Sequence, residues 1–403
     1  MSFGAEEESV AEMCYPKKRI LMFSGTPLFR TALVRRASVL AREMARAGWE
    51  VTLSCVTPEF DPRADTIEHE GLVLRLLGQA NFREDSFGHR KRIGAFQYLG
   101  ESWRTASRLH RLLHSLNIST LCVFTTLPVS LLAILRCRKD VQRLYVDIDD
   151  LTSGQAEWRG LNTLGRHPIK WCERYVPRLA HKVTVCSDYL AQLYPGSIVI
   201  PNMVNLSDFS ESKAFNEERP IRILFLGEVG PYHGHREVLQ ALARRKDQLG
   251  DTMVQIVGGG SHLADIEELS RQLGLERHVF FSGRLNYRDV LPYLHQATIG
   301  LLPLADAPVD RARFPLKLLE YLASYTVVVA NPTTEVSRVI RSGENGVLTA
   351  DNSADSLIEE ALRLRENGSL LRSLATEGRK TAERYSVTSV MQRWLEVLEG
   401  NNE

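Results

Sequence analysis

Along the chain, short runs of consecutive apolar residues alternate with longer stretches whose apolar positions recur every three or four residues. Residues 19–24 (RILMFS) form the first run, and 34–47 form the first amphipathic stretch, stopped by Gly48 before a second run at 51–56. A fully apolar run of this length suits a strand covered on both faces, as parallel sheets require. Further strands are expected at 72–77, 120–125, 144–147, 182–186 and 198–200. A second series follows at 221–227, 252–257, 279–282, 299–302 and 327–330, each run leading through a Gly- or Pro-containing turn into a helix. The fold class is therefore α/β, with two Rossmann-like, doubly wound parallel-sheet domains. Residues 201–220 are polar and aperiodic and read as a linker between an N-terminal domain over 19–200 and a C-terminal domain over 221–385. Residues 1–18 read as a loose tail and 386–403 as a final helix. Two such sheets facing each other bring their strand carboxyl ends to a central cleft, where open α/β sheets bind ligands.

The chain has 403 residues, enough for two such domains, and its 44% hydrophobic and 25% charged content excludes a disordered or fibrous protein. Mean hydropathy is −0.18. The longest apolar candidate, 129–135, is cut by Arg136, far short of the ~18 residues a membrane span needs. The first residues carry no apolar signal core, so a cytoplasmic location is expected. Cys14, Cys55, Cys122, Cys137, Cys172 and Cys186 are widely spaced without a CxxC pair and read as reduced, buried thiols. The net charge of +1 hides an asymmetry: residues 1–200 carry 27 Lys and Arg against 21 Asp and Glu, and the remainder 23 against 28. A basic half attracts phosphates, anionic lipid or nucleic acid, or is simply a solvated face. Within it, residues 81–117 mix Phe82, Phe87, Phe96, Tyr98 and Trp103 with Arg90, Lys91, Arg92, Arg104 and Arg108. That mixture fits a helix packed on the first sheet, the preferred reading, or an element in peripheral contact with an anionic membrane. No nucleic-acid recognition motif is present, and no nucleic-acid partner is expected.

The chemistry concentrates in 310–330, DRARFPLKLLEYLASYTVVVA. Pro315 suits the first position of a helix running to Ala323, which leaves the N–H groups of Leu316 and Lys317 for an anion. Lys317 then sits in a first turn where the helix dipole disfavours a cation, a conflict that an anionic ligand removes. Glu320, one turn on, is placed to accept from a ribose diol; the plainer reading is a Lys317–Glu320 surface pair. Two glycine turns follow strands, one at Gly227 through His233 and Gly234, the other at Gly258 to Gly260. Each permits close approach of a phosphate, or is merely a tight turn. Gly25 and Arg284 also follow strands. In the first half, Asp147, Asp149 and Asp150 end a strand at the cleft, where they can orient an acceptor hydroxyl or cap the next segment.

The stretches FLGEVGPYHGHREVLQAL, IVGGGSHLADIEEL, LGLERHVFFSGRL and PLKLLEYLASYTVVVA, in this order, resemble the nucleotide-sugar half of a retaining glycosyltransferase of family four, with the GT-B fold. The Gly25 loop, ERYVPRLAHKVTVCSDYL and IPNMVNLSDF are similar to that family's acceptor half. The resemblance implies a sugar transfer from a nucleotide-diphosphate sugar, as co-substrate and with no other cofactor or metal, to a glycan, lipid-linked or small-molecule hydroxyl. It implies that Glu320 meets the donor ribose and that Pro315, Leu316 and Lys317 meet its diphosphate, with Phe314 beside them. It places Gly25, Gly227, His233, Gly234, Gly258 and Arg284 around the donor, and Asp147, Asp149 and Asp150 around the acceptor. Asp149, Lys317 and Glu320 become the catalytic group. In a front-side displacement the leaving diphosphate takes the acceptor proton, so the protein chiefly positions groups and stabilises charge. The sequence departs from the family at Ala312, where a first glutamate is usual, and at Glu228 and His233, where arginine and lysine are usual. Two other readings remain: a catalytically inactive relative acting as a partner subunit, and a nucleotide-sugar epimerase.

Overall fold

The protein is described from a computed structural model covering residues 18–27, 32–69, 72–84, 90–158, 161–210 and 221–400. The expected tail up to residue 17, with Cys14, and also Phe87 and residues 211–220 of the linker lie outside the described residues.

The first half contributes β1 (Arg19–Ser24), β2 (Glu50–Thr57), β3 (Thr66–His69) and β4 (Leu72–Gln79), then a separate hairpin of β5 (Phe82–Glu84) and β6 (Arg90–Arg92). It continues with β7 (Thr120–Phe124), β8 (Arg143–Ile148), β9 (Lys182–Val185) and β10 (Ile198–Val199). Apart from the hairpin these pair in the order β10-β9-β8-β7-β1-β2-β4-β3, all parallel except β3, which runs antiparallel to β4. The apolar runs foretold the parallel strands. The edge strand β3 (TIEH) and the hairpin were not expected, since short polar strands carry no such run.

The second half is built from β11 (Arg222–Leu226), β12 (Met253–Val257), β13 (Val279–Phe281), β14 (Ile299–Leu302), β15 (Val327–Ala330) and β16 (Val347–Leu348), wholly parallel in the order β13-β12-β11-β14-β15-β16. Each sheet reverses its winding beside its first strand, between β1 and β7 and between β11 and β14, and so opens a crevice there. Close packing under the second crevice depends on Gly300, since a Cβ there would lie 2.6 Å from the Tyr321 ring. Tyr321 in turn accepts the Leu226 N–H at 2.9 Å, which fixes the helix Leu316–Ala323 beneath the end of β11.

Hydrogen bonds among the described residues set the halves against each other. Ser187 Oγ donates to the Ala312 carbonyl at 2.5 Å, Asn202 Nδ2 to the Phe314 carbonyl at 2.7 Å, and the Asp188 N–H to Glu335 Oε1 at 2.9 Å. Beside them Gly154 faces Val309 so closely that a Cβ would sit 2.9 Å from the valine's own Cβ. The last helix, Val387–Glu399, returns to the first half, where Val390, Met391, Trp394, Val397 and Leu398 join the core beneath β1 and β2. Arg143 and Tyr145 of β8 donate to the Leu398 carbonyl at 2.7 and 3.0 Å and hold it there.

Candidate active site

On the first side of the cleft, Asp147 lies near the end of β8 and Asp149 and Asp150 just beyond it, and the structure separates the three. Asp147 is fully buried, receives Arg36 Nε and Nη2 at 2.7 and 2.8 Å and accepts from Thr184 Oγ1 at 2.5 Å. This corrects its expected place among acceptor-binding residues, because both oxygens are committed to the interior. Burial opposes the Arg36 charge, but the Asp147 carboxylate outweighs it and raises the guanidinium above its usual range. Arg36 also donates to the carbonyls of Ile200 and Pro201 at 3.0 and 3.1 Å and to Asn202 Oδ1 at 3.1 Å. The same Asn202 binds Phe314, so a line of polar contacts runs from the first sheet to the second half.

Asp150 takes the capping role: it accepts the Leu151 N–H at 2.7 Å and bonds Gln155 of the helix Thr152–Trp158. Asp149, between them, remains partly exposed. Burial, with the like charges of Asp150 and Asp147, pushes its carboxyl up to about 7 against the pull of Arg36. A carboxyl of this value exchanges a proton near neutrality. Gly25, at the end of β1, packs against Thr125, Ser130 and Val129, each within 2.9 Å of where a Cβ would lie, so its need for glycine comes from packing. Thr125 is held at φ 80°, in the left-handed region that threonine seldom occupies. No sequence signal marks that strain.

On the opposite side, Lys317 lies in the first turn of the helix Leu316–Ala323. Its Nζ donates to the Leu226 carbonyl at 2.9 Å and stands 5.5 Å from the Phe225 ring centre. Burial and the Arg313 charge lower its ammonium to about 8, against the pull of Asp310. Pro315 is the residue before the helix (φ −68°, ψ 118°) rather than its first position, one step from expectation. Glu320 is buried on the same helix at 4% exposure. Phe314 is also buried, 5.4 Å from the Tyr385 ring, with its carbonyl bound by Asn202. It therefore packs in the seam between the halves, next to Pro315 and the start of the helix.

The glycine turns pack on one another. A Cβ at Gly258 would meet the Gly227 carbonyl at 1.9 Å, one at Gly260 the Val229 carbonyl at 2.2 Å, and one at Gly259 the Arg284 Cβ at 2.8 Å. Gly227 (φ 143°), Gly258 (φ 146°) and Gly234 (φ 78°) occupy backbone space closed to most side chains. These turns bring Gly227, Gly258, Arg284 and Lys317 to the second crevice. His233 lies on the same turn, and burial and Lys317 lower it to about 4. The next helix opens with His235, which is 1% exposed and stacked 4.1 Å from Phe225. Burial, then Lys317 and His233, press it down to about 3.

Sequence reasoning missed Asp310. It is buried on the short helix Pro308–Ala312, 3.7 Å from Arg313, and burial raises its carboxyl to about 6 although Arg313 opposes this. Asp150 of the first half raises it further, a sign that acids from both halves approach here. Its place two residues before Ala312 was the available signal.

The profile of the family described as Glycosyl transferases group 1 matches residues 207–381, and that of the Glycosyl transferase 4-like domain matches residues 31–203. The chain is 26% identical to a phosphatidyl-myo-inositol mannosyltransferase of Mycobacterium leprae over 57% of its own length and 60% of the relative's. It is 24% identical to an uncharacterized glycosyltransferase of Haemophilus influenzae over 60% of its length and 65% of the relative's. The match thus spans less than two thirds of either relative. Among solved structures, sucrose-phosphate synthase from Thermosynechococcus elongatus superposes with a TM-score of 0.73 at 15% identity, covering 95% of this chain and 99% of the other. Anabaena HepE, in complex with UDP-glucose, superposes at 0.70 and 14% identity with the same coverage. These likenesses establish the GT-B fold.

Proposed function

Because the chain belongs to the glycosyl transferases of group 1, with a 4-like domain as its first half, we propose that it moves a sugar from a nucleotide-diphosphate sugar to a hydroxyl acceptor with retention of configuration. The observation that carries this reading is Lys317, a half-buried cation at the second crevice whose ammonium is held by a carbonyl and a ring face rather than by a carboxylate. A diphosphate at that point would supply the missing negative charge, helped by the amino end of the helix Leu316–Ala323. In this reading Glu320 accepts from the donor ribose, and the glycine turns at Gly227 and Gly258 admit the nucleotide backbone. The bond from the sugar's anomeric carbon to the diphosphate oxygen breaks as the bond to the acceptor oxygen forms on the same face. The acceptor proton passes to the leaving diphosphate. Asp149 orients the acceptor hydroxyl, and Asp310 offers a carboxyl where the family's first glutamate is replaced by Ala312.

HepE was solved with UDP-glucose, which favours a uridine donor here. The helix Ala95–Ser115 buries Ala106, Leu109 and Leu113 yet exposes Phe96 (94%), Leu99 (56%) and Trp103 (56%), with exposed Lys91, Arg92 and Arg104 beside them. That face favours an acceptor presented at an anionic lipid surface, with the protein peripheral on the cytoplasmic side. Among the described residues no helix is long and apolar enough to cross a membrane.

A thermal-shift panel with UDP, GDP, ADP and TDP, repeated on Lys317→Ala, tests the donor assignment. A nucleotide at a hundred times its dissociation constant adds roughly 2.7 kcal/mol to stability. One nucleotide that raises the melting temperature of the wild type and not of the variant supports a transferase. No response to any would favour the catalytically inactive relative.

A further inference from the structure

Away from the cleft, the helix Ala95–Ser115 and the turn after the helix Pro128–Cys137 bring together His110, His114 and Asp140. The histidines are four residues apart, so one helical face presents both. His114 Nε2 lies 3.1 Å from His110 Nε2, which lies 3.0 Å from Asp140 Oδ2, while His114 Nε2 and Asp140 Oδ1 are 3.8 Å apart. One atom from each residue falls within 4.8 Å of the others.

A hydrogen-bond network alone fits this cluster poorly. His110 Nε2 cannot donate its proton to the carboxylate and also accept a proton from His114, because a protonated ring nitrogen has no lone pair left. A cation removes the conflict. With both imidazoles protonated at Nδ1, two Nε2 lone pairs and a carboxylate oxygen converge on one point. Ligands about 2.0 to 2.1 Å from a tetrahedral zinc stand about 3.3 Å from one another, close to the spacings here. Two imidazoles and a carboxylate suit zinc and its transition-metal neighbours rather than magnesium or calcium, which prefer all-oxygen shells.

We propose that His110, His114 and Asp140 form a zinc-class divalent metal site that clasps these two helices on the outer face of the first half. His114 is about half exposed (54%), so the fourth position is open to water or to a donor from another molecule. The site is separate from the transfer chemistry and gives the ion a clamping role.

The test is equilibrium dialysis of the full chain against Zn²⁺, with bound metal counted by elemental analysis. The comparison is with His110→Ala/His114→Ala, with Asp140→Asn and, as a control, with His167→Ala. The wild type and the control are expected to retain one more zinc per chain than the double variant, and Asp140→Asn to bind at least tenfold more weakly. Mg²⁺ is expected not to be retained. Co²⁺ in the wild type should give the intense visible bands of a tetrahedral site. Equal zinc content in the wild type and a folded double variant overturns the proposal. Should the double variant fail to fold, zinc X-ray absorption of the wild type decides: a shell with two imidazoles upholds the site, and a thiolate-containing or all-oxygen shell overturns it.

Discussion

At the carboxyl end of the first sheet, buried Arg36 meets buried Asp147 through two hydrogen bonds; at the corresponding end of the second, half-buried Lys317 meets the Leu226 carbonyl and the face of Phe225. Both cations sit near the reversal of strand order in sheets with the same central winding. The first has its charge balanced inside the protein and is raised; the second, with Arg313 close by, is lowered to about 8. Taking a charge out of water without a counter-ion is costly. A completed pair contributes architecture, whereas a cation left at a crevice without one is where we propose that negative charge from the donor enters. On the proposed reading two similar sheets divide the work: the first fixes the frame of the cleft and the second leaves its electrostatics to be finished by the donor's diphosphate.

Neutralising each cation in turn separates the two ends. Arg36→Met leaves Asp147 buried without its partner and is expected to cost about 3 to 5 kcal/mol in urea denaturation. Lys317→Met should cost no stability while weakening nucleotide-diphosphate binding by about 10- to 100-fold, read by calorimetry. Equal destabilisation by the two would erase the distinction. The next largest effect concerns the carboxylates: Asp149→Asn is expected to lower kcat about 10²-fold with donor KM little changed, and to remove a limb near pH 7 from the kcat profile. Loss of donor affinity in equal measure would move Asp149 to the other side of the cleft.

A third effect tests the cost of uncompensated burial beside Lys317. His235 has a folded value of about 3 against 6.5 when unperturbed. Between those values the unfolded chain binds a proton that the folded chain refuses, so stability falls as pH drops through 6.5. His235→Phe should recover about 2 kcal/mol at pH 5 and nothing at pH 8, measured as the difference between urea midpoints. The smallest effect lies at the seam: Ser187→Ala, which loses the bond to the Ala312 carbonyl, should cost about 1 kcal/mol of thermal stability.

What could be read from the sequence follows the range of each signal. Buried parallel strands such as VVVA at β15 announce themselves, since every side chain must be apolar. Lys317 was legible because proline, helix start and cation lie within three residues. The pairing of Arg36 with Asp147, 111 residues apart, was not, and an isolated carboxylate at a strand end looks the same whether it faces the cleft or the interior. The packing of Phe314 was hidden for a similar reason: its neighbours in sequence lie at the second crevice, while its own ring turns to Tyr385, 71 residues on. The glycines were located correctly, but their motive was half hidden, because packing of Gly258 on Gly227 is a contact between distant loops.

The returning helix Val387–Glu399 has a consequence for how the protein is made. All strands of the first sheet have been synthesised by Val199, yet part of their covering, including the wholly buried Trp394, is encoded almost two hundred residues later. During translation the first half therefore waits with an apolar flank uncovered while the second half emerges and can close its own sheet. The half made first is thus covered only after the second has emerged, and the helix Val387–Glu399 acts as its closing seal.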